Sequence, residues 1–205
     1  MTLSPRYRAW LVAAFVGVLA LAVRLANLGA AFPEGAAVIP PLDDLYHARR
    51  IVVSALDFPA VLEFDPARGA GGAFCPWPPL YDLAAGGLSR LSGARTSGEV
   101  LDRAALFPPF FGAFLAFAVS FVLATRRGLA ASVTAGGLLA ITPALVEVSS
   151  VSDLDHHFLE GGLLLGLVAA VLLVVRVRRT GEAVVGALAL GAALATALFV
   201  QVALL

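Results

Sequence analysis

Apolar runs about as long as a bilayer is thick recur along this chain, and they restrict its fold more than any other feature. An α-helix rises about 1.5 Å per residue, so about 20 apolar residues cross a hydrocarbon core. Five such runs can be drawn, at about 10–28, 104–124, 129–148, 158–175 and from 183 to the C-terminus. Only 14% of the 205 residues are charged and 60% are hydrophobic, where soluble domains carry about 25% charge. A soluble bundle with this surface would aggregate. The expected fold class is therefore all-α, a polytopic transmembrane helical protein of about five spans forming a single transmembrane domain over 1–205. The first run follows Arg6 and Arg8, but it is too long for a signal peptide and lacks a small-residue cleavage site, so it reads as a retained span. Pro108, Pro109 and Pro143 fall near run ends, where proline is tolerated and kinks arise.

Arginine clusters order the spans. Arg6 and Arg8 precede the first run, Arg126 and Arg127 join the second and third, and Arg176, Arg178 and Arg179 join the fourth and fifth. With alternating spans all three clusters share one side, which the positive-inside rule makes cytoplasmic. The expectation is a multi-pass protein of the cell (inner) membrane with a cytoplasmic N-terminus. A long first external loop, 29–103, and a short second one, 149–157, then share the non-cytoplasmic face. The arginines inside the long loop do not upset this, because long loops cross largely regardless of charge.

The long loop carries helical patterning. In "DDLYHARRIVVSALDF" the apolar positions Leu45, Ala48, Ile51, Val52 and Ala55 recur every three or four residues, the signature of a helix with one buried face. Asp43 or Asp44 is placed to cap it. A Gly/Pro-rich bend leads into a second amphipathic stretch from Leu80 to Leu91, with Trp77 and Tyr81 suited to headgroup depth. The loop is expected to hold short amphipathic interfacial helices.

Scarce ionisable groups gather in two places on that face. "SDLDHHFLE" places Asp153, Asp155, His156, His157 and Glu160 at the entrance of the fourth run. Asp155 and His157 alternate as ligands on extended backbone do, and Glu160 follows one helical turn later. Carboxylates with an imidazole suit Mn²⁺ or Mg²⁺, with Mn²⁺ the better match. The same letters also read as a helix N-cap at Asp153 or Asp155 beside wetted histidines, although boundary charges are costly to keep. "PLDDLYHARR" repeats the hard-ligand types in Asp43, Asp44 and His47, and Arg49 and Arg50 match phosphate geometry; alone it also reads as a capped surface helix. Arg24 in the first span is expected to snorkel. Glu147 lies within reach of the same surface or of the interface. A lone Cys75 excludes an internal disulfide. There is no Walker loop, no GxSxG and no CxxC pair, and nothing points to nucleic acid.

The order and sidedness of these motifs resemble the catalytic subunits of oligosaccharyltransferases, within the C superfamily of polytopic membrane glycosyltransferases. "DDLYHAR" is similar to that family's first-loop pattern, in which an Asp is followed by aromatic, His and Arg residues. "DHHFLE" is similar to its second-loop Asp-His-His followed by Glu, and "PWPPLYDLAAG" to its Pro-rich turn. The resemblance implies transfer of a glycan from a polyprenyl-(pyro)phosphate donor to the asparagine of an acceptor polypeptide, with the active face non-cytoplasmic. It places the catalytic, metal-binding aspartate on Asp43, since Tyr46 then falls three residues on. The other metal ligands fall on Asp155 and His157, with Tyr46, His47, Arg49, His156 and Glu160 supporting the donor phosphate. It implies membrane lipids as further partners.

The chain departs from the family in length. Family members have many more spans, a later loop with a second acceptor-activating Glu, and a soluble C-terminal domain with a Trp-Trp-Asp motif. Here the two tryptophans are never adjacent. The expectation is therefore an N-terminal part with the soluble domain absent, incomplete as a catalyst alone. Two other readings stay open: a superfamily lipid-phosphate sugar transferase with a non-protein acceptor, and an inactive membrane fragment or subunit.

Overall fold

The structure is a computed structural model that describes residues 3–41, 43–175 and 180–200. It is mostly helical. In chain order the helices are α1 (Pro5–Arg24), α2 (Leu28–Ala31), α3 (Asp43–Leu56), α4 (Leu80–Leu91), α5 (Ser97–Ala104), α6 (Phe107–Arg126), α7 (Leu129–Ile141), α8 (Pro143–Glu147), α9 (His157–Val175) and α10 (Thr180–Val200). A short hairpin, β1 (Phe64–Asp65) and β2 (Ala73–Phe74), separates α3 from α4 and pairs Phe64 with Phe74. The chain divides into two compact units, Met1–Tyr46 with Leu101–Phe158, and His47–Val100 with Leu159–Leu205.

In the first unit α1, α6 and α7 pack on one another. Ser4 caps α1 by accepting the Tyr7 N–H at 3.3 Å, and Pro5 opens the helix where its missing donor costs nothing. Pro108 and Pro109 likewise fall in the first turn of α6. The core between the helices is built from small side chains: Val16, Ala20, Ala113, Ala116 and Ala140. Gly136 lets α7 approach so closely that a Cβ there would sit 2.9 Å from both Ser120 Cβ and Val16 Cγ1. Ser120 and Ser132 share a buried hydroxyl hydrogen bond of 2.7 Å. Small residues and buried hydroxyls are how helices associate in lipid, where burying apolar surface gains little. The larger apolar groups Trp10, Phe15, Phe110 and Phe114 point outward instead.

Among the described residues two helical stretches are long and apolar enough to cross a membrane, Pro5–Arg24 and Ser97–Arg126. The run expected as one span at 129–148 is broken. Pro143 disfavours helical backbone in the residue before it, and Thr142 is extended at φ −62°, ψ 120°. The result is a 13-residue α7 and a 5-residue α8. Shorter apolar helical stretches follow at His157–Ala169 and Val184–Thr196. The arginine cluster 176–179 and the end of the fifth run, 201–205, lie outside the described residues.

In the second unit α3 and α4 form the core. Both follow the expected apolar periodicity, and α4 has the bounds expected of it, Leu80–Leu91. Gly86 sits where a Cβ would lie 2.8 Å from Ser54 Cβ and 2.9 Å from the Ile51 carbonyl and Ala55 nitrogen. Only glycine allows that approach. Ala48, Ile51 and Ala55 are buried as expected, but Leu45 is exposed. The buried stripe also takes in His47, Arg50 and Ser54, polar positions that apolar counting passes over. α10 touches α4.

Candidate functional site

The backbone of the loop between α8 and α9 is held to distant parts of the first unit at three points. Asn27, in the turn between α1 and α2, donates to the Val151 carbonyl at 3.1 Å and accepts the Val151 N–H at 3.3 Å. The Ser152 N–H donates to the Ala105 carbonyl at 3.0 Å. Ser152 is buried with φ at 71°, a left-handed conformation that a non-glycine residue keeps only where its surroundings enforce it. The third tether comes from the first turn of α3. Asp44 Oδ1 accepts the Leu154 N–H at 2.5 Å and the Asp155 N–H at 3.2 Å.

That tether changes the expected role of the paired aspartates. α3 begins at Asp43 itself, so both carboxylates lie in its first turn. Successive helical residues point about 100° apart. Asp43 is exposed, and Asp44, half-buried, turns to the loop and satisfies its amides. Burial raises the Asp44 carboxyl above the ordinary 3.8, as does the charge of Asp155, against the two amide hydrogen bonds.

Beyond the tether the chain bends and enters α9. Asp155 is not on an extended strand as its alternation with His157 implied; helix begins at His157, and one carboxylate meets both imidazoles. Asp155 Oδ1 lies 2.9 Å from His156 Nδ1, and Oδ2 lies 3.3 Å from His157 Nε2. The two rings are 5.0 Å apart. His156 is buried and His157 is 47% exposed, so of the two only His157 opens broadly to solvent. Phe158 anchors the helix start with its ring 5.5 Å from Phe111. Burial and the charges of Asp44 and Asp155 push the Asp153 carboxyl up to about 7, although the Asp155 amide and His157 pull it down. Three carboxylates so close repel one another, and a bound cation would relieve that strain.

Asp43, Tyr46, Asp155, His156 and His157 belong to the first unit; His47, Arg49 and Glu160 belong to the second. Within the second unit His47 is buried, its Nδ1 2.7 Å from Asp82 Oδ1. Asp82 is fully buried and its other oxygen meets Arg50 Nε at 3.1 Å. Arg50 also donates to the Trp77 carbonyl at 2.9 Å. Tyr81, expected at headgroup depth, is buried with its ring 5.3 Å from that of His47. Arg49 is ion-paired with Asp65 at 2.7 Å. Asp82 and Asp65 carry no local spacing signal in the sequence: Asp82 is an isolated acid in its segment, and Asp65 has only Glu63 beside it.

Arg24 does not snorkel. It is buried and donates to Ser149 Oγ at 2.7 Å and to the carbonyls of Ala20, Leu139, Ala140 and Leu145 at 3.0–3.4 Å. The break at Pro143 orphans the last carbonyls of α7, and the guanidinium supplies their partners. Gly112 makes room, since a Cβ there would lie 2.3 Å from Arg24 Nε. Glu147 ends α8 exposed.

No family model matches the sequence, and no curated protein matches it. Solved structures do. The chain superposes on the oligosaccharyltransferase of Archaeoglobus fulgidus in its apo form with a TM-score of 0.81 at 18% identity, over 95% of this chain and 24% of that one. The same enzyme in complex with Zn and sulfate gives 0.77 at 18% identity over 91% and 24%. Archaeal oligosaccharyltransferase AglB from that organism, in complex with an inhibitory peptide and a dolichol-phosphate, gives 0.77 at 20% identity over 94% and 23%. The chain spans about a quarter of the length of the structures it matches. Its fold is thus that of an archaeal oligosaccharyltransferase over that quarter, consistent with an N-terminal part of the family that the sequence motifs resemble.

Proposed function

We propose that this chain is the metal- and donor-binding part of an oligosaccharyltransferase-like membrane glycosyltransferase. The donor is a polyprenyl-(pyro)phosphate-linked glycan and the acceptor an asparagine of a polypeptide, at the non-cytoplasmic face of the cell membrane. One observation carries the reading. Asp44 accepts the amides of Leu154 and Asp155, which draws together two acidic motifs 110 residues apart in sequence. The similar enzyme's complexes with Zn and sulfate, and with a dolichol-phosphate and an inhibitory peptide, fit such a site.

The donor set suits a hard divalent ion. Asp43, Asp155 and His157 would hold it, carboxylate oxygens with one imidazole favouring Mn²⁺ over Mg²⁺. When bound, the ion supplies Lewis-acid stabilisation of the charge left on a departing phosphate. The chain's own groups do the rest. Asp44 fixes the loop that presents Asp155. His156, buried against one oxygen of Asp155, sets the orientation of that carboxylate. Asp43, exposed in the first turn of α3, would accept a hydrogen bond from the acceptor amide and hold its nitrogen for in-line attack. Tyr46 and His156 are the first-unit groups assigned to the donor phosphate.

Mn²⁺ titration of the purified chain, with and without a short polyprenyl phosphate, tests this. Asp155→Ala and Asp43→Ala should each weaken Mn²⁺ and lipid-phosphate binding by at least about tenfold, the loss of one charge-assisted contact. Unchanged affinity for both in both variants would leave these residues as interfacial helix caps.

A further inference from the structure

A second site, unrelated to the acidic cluster, lies wholly within the second unit. The end of α3, the turn after it and the last turn of α4 enclose a cavity of about 670 Å³, lined by Leu56, Phe58, Gly87, Arg90, Leu91 and Arg95 among others. Its chemistry is divided. Leu91 is 84% exposed, and Leu56 and Phe58 are about half exposed, so apolar surface continues from the cavity to its rim. Two guanidiniums share its wall, and among the described residues no acidic side chain lines it.

Backbone carbonyls hold both arginines in place. Arg90 donates through one nitrogen to the carbonyls of Ala55 at 3.2 Å and Leu56 at 3.3 Å. Arg95 donates through one nitrogen to the carbonyls of Arg90 at 3.4 Å and Ala94 at 3.1 Å. A guanidinium has five N–H donors, so each keeps most of its fork for another partner. Glu99, the nearby acid, accepts the backbone N–H groups of Arg95 at 2.7 Å and Thr96 at 3.0 Å through one carboxylate oxygen. Among the described residues no carboxylate pairs with either guanidinium. Gly87 keeps the floor open: a Cβ there would lie 3.1 Å from the Phe58 ring.

We infer that this cavity binds an anionic phospholipid, its phosphate between Arg90 and Arg95 and an acyl chain along Leu56, Phe58 and Leu91. Paired guanidiniums match phosphate oxygens bidentately, and exposed aliphatic and aromatic side chains beside them match what lies directly beneath a headgroup. A water-soluble anion would gain nothing from the apolar wall. A zwitterionic lipid would bring its own cation to two arginines.

The purified chain, stripped of lipid in neutral detergent, is offered phosphatidylglycerol or phosphatidylcholine, and retained lipid is counted by native mass spectrometry. Phosphatidylglycerol should be retained preferentially. Arg90→Gln with Arg95→Gln should lower that retention by about tenfold while leaving phosphatidylcholine unchanged, as expected for lost charge-assisted contacts. Arg95→Gln alone, which spares the carbonyl bonds of Arg90 to α3, should show a lesser loss in the same direction. Gly87→Leu, which fills the cavity and keeps both charges, should lower it too. Equal retention of the two lipids by the wild type would overturn the inference, as would unchanged phosphatidylglycerol retention in the double variant or displacement of the lipid by inorganic phosphate alone.

Discussion

Replacing Asp44 by alanine tests whether this side chain, rather than its neighbour Asp43, joins the two acidic motifs. The substitution removes the acceptor for two amides, Leu154 at 2.5 Å and Asp155 at 3.2 Å. Leu154 is fully buried, so water does not easily replace the lost partner. A hydrogen bond to a charged group contributes about 1.5–3 kcal/mol, and the longer second bond less. Against this stands the cost of holding the Asp44 carboxylate half-buried beside Asp155, the same effect that raises its pKa. That cost vanishes in the variant and offsets part of the loss. The net destabilisation should be about 2 kcal/mol. Asp44→Asn keeps one acceptor oxygen and sheds the charge, so it should cost about half as much. Thermal or denaturant unfolding in detergent with a chelator present gives both values, and Asp43→Ala, at an exposed position, should fall within about 0.5 kcal/mol of wild type. The reasoning fails if Asp44→Ala unfolds like wild type, or if Asp43→Ala is the more damaging.

Other expectations follow from the same geometry. Arg24→Ala should cost about 3 kcal/mol by orphaning the carbonyls of Leu139 and Ala140, and Arg24→Lys should not restore it, because an ammonium lacks the fork; unfolding in detergent measures both. Gly86→Ala should destabilise by about 1–3 kcal/mol through overpacking of α4 on α3, read in the same assay. Asp82→Asn should lower stability and shift the ¹⁵N resonances of His47, its ring partner at 2.7 Å; unchanged His47 signals would refute the pairing. In chelator, the Asp153 carboxyl binds its proton more tightly folded, at about 7, than unfolded, near 3.8. The contribution of this group to stability should therefore be greatest below pH 4, fall as the pH rises to about 7 and then level off. Asp153→Asn should flatten that slope, and Mn²⁺ should offset it.

What could be read in the sequence and what could not divides along physical lines. α3 and α4 were legible because an amphipathic stripe is a local property: Ala48, Ile51 and Ala55 repeat every three or four residues whatever they pack against. α4 ends where its stripe ends. Pro143 was visible too, but whether a proline bends a helix or breaks it depends on what satisfies the freed carbonyls. Here the answer is Arg24, more than a hundred residues away, and an arginine that serves a distant helix end looks in sequence like one that snorkels. The pairing of His47 and Arg50 with Asp82 is hidden for the same reason, since it joins two helices 35 residues apart. The acidic motifs were legible as clusters because charge is scarce in this chain. Which of two adjacent aspartates faces the loop was not, because neighbours on a helix differ only in direction. The hairpin β1–β2 is too short to show alternation.

The central claim is that the turn at Asp43 and the loop at Asp155 and His157 together hold one divalent ion. Pulsed electron paramagnetic resonance of the Mn²⁺-loaded chain tests it most directly, because it detects a nitrogen bound to the metal. The account predicts one tightly bound Mn²⁺ with an imidazole nitrogen coupling that disappears in His157→Ala, and loss of the bound ion in Asp155→Ala. Bound Mn²⁺ without nitrogen coupling, or a coupling that survives in His157→Ala, would contradict it.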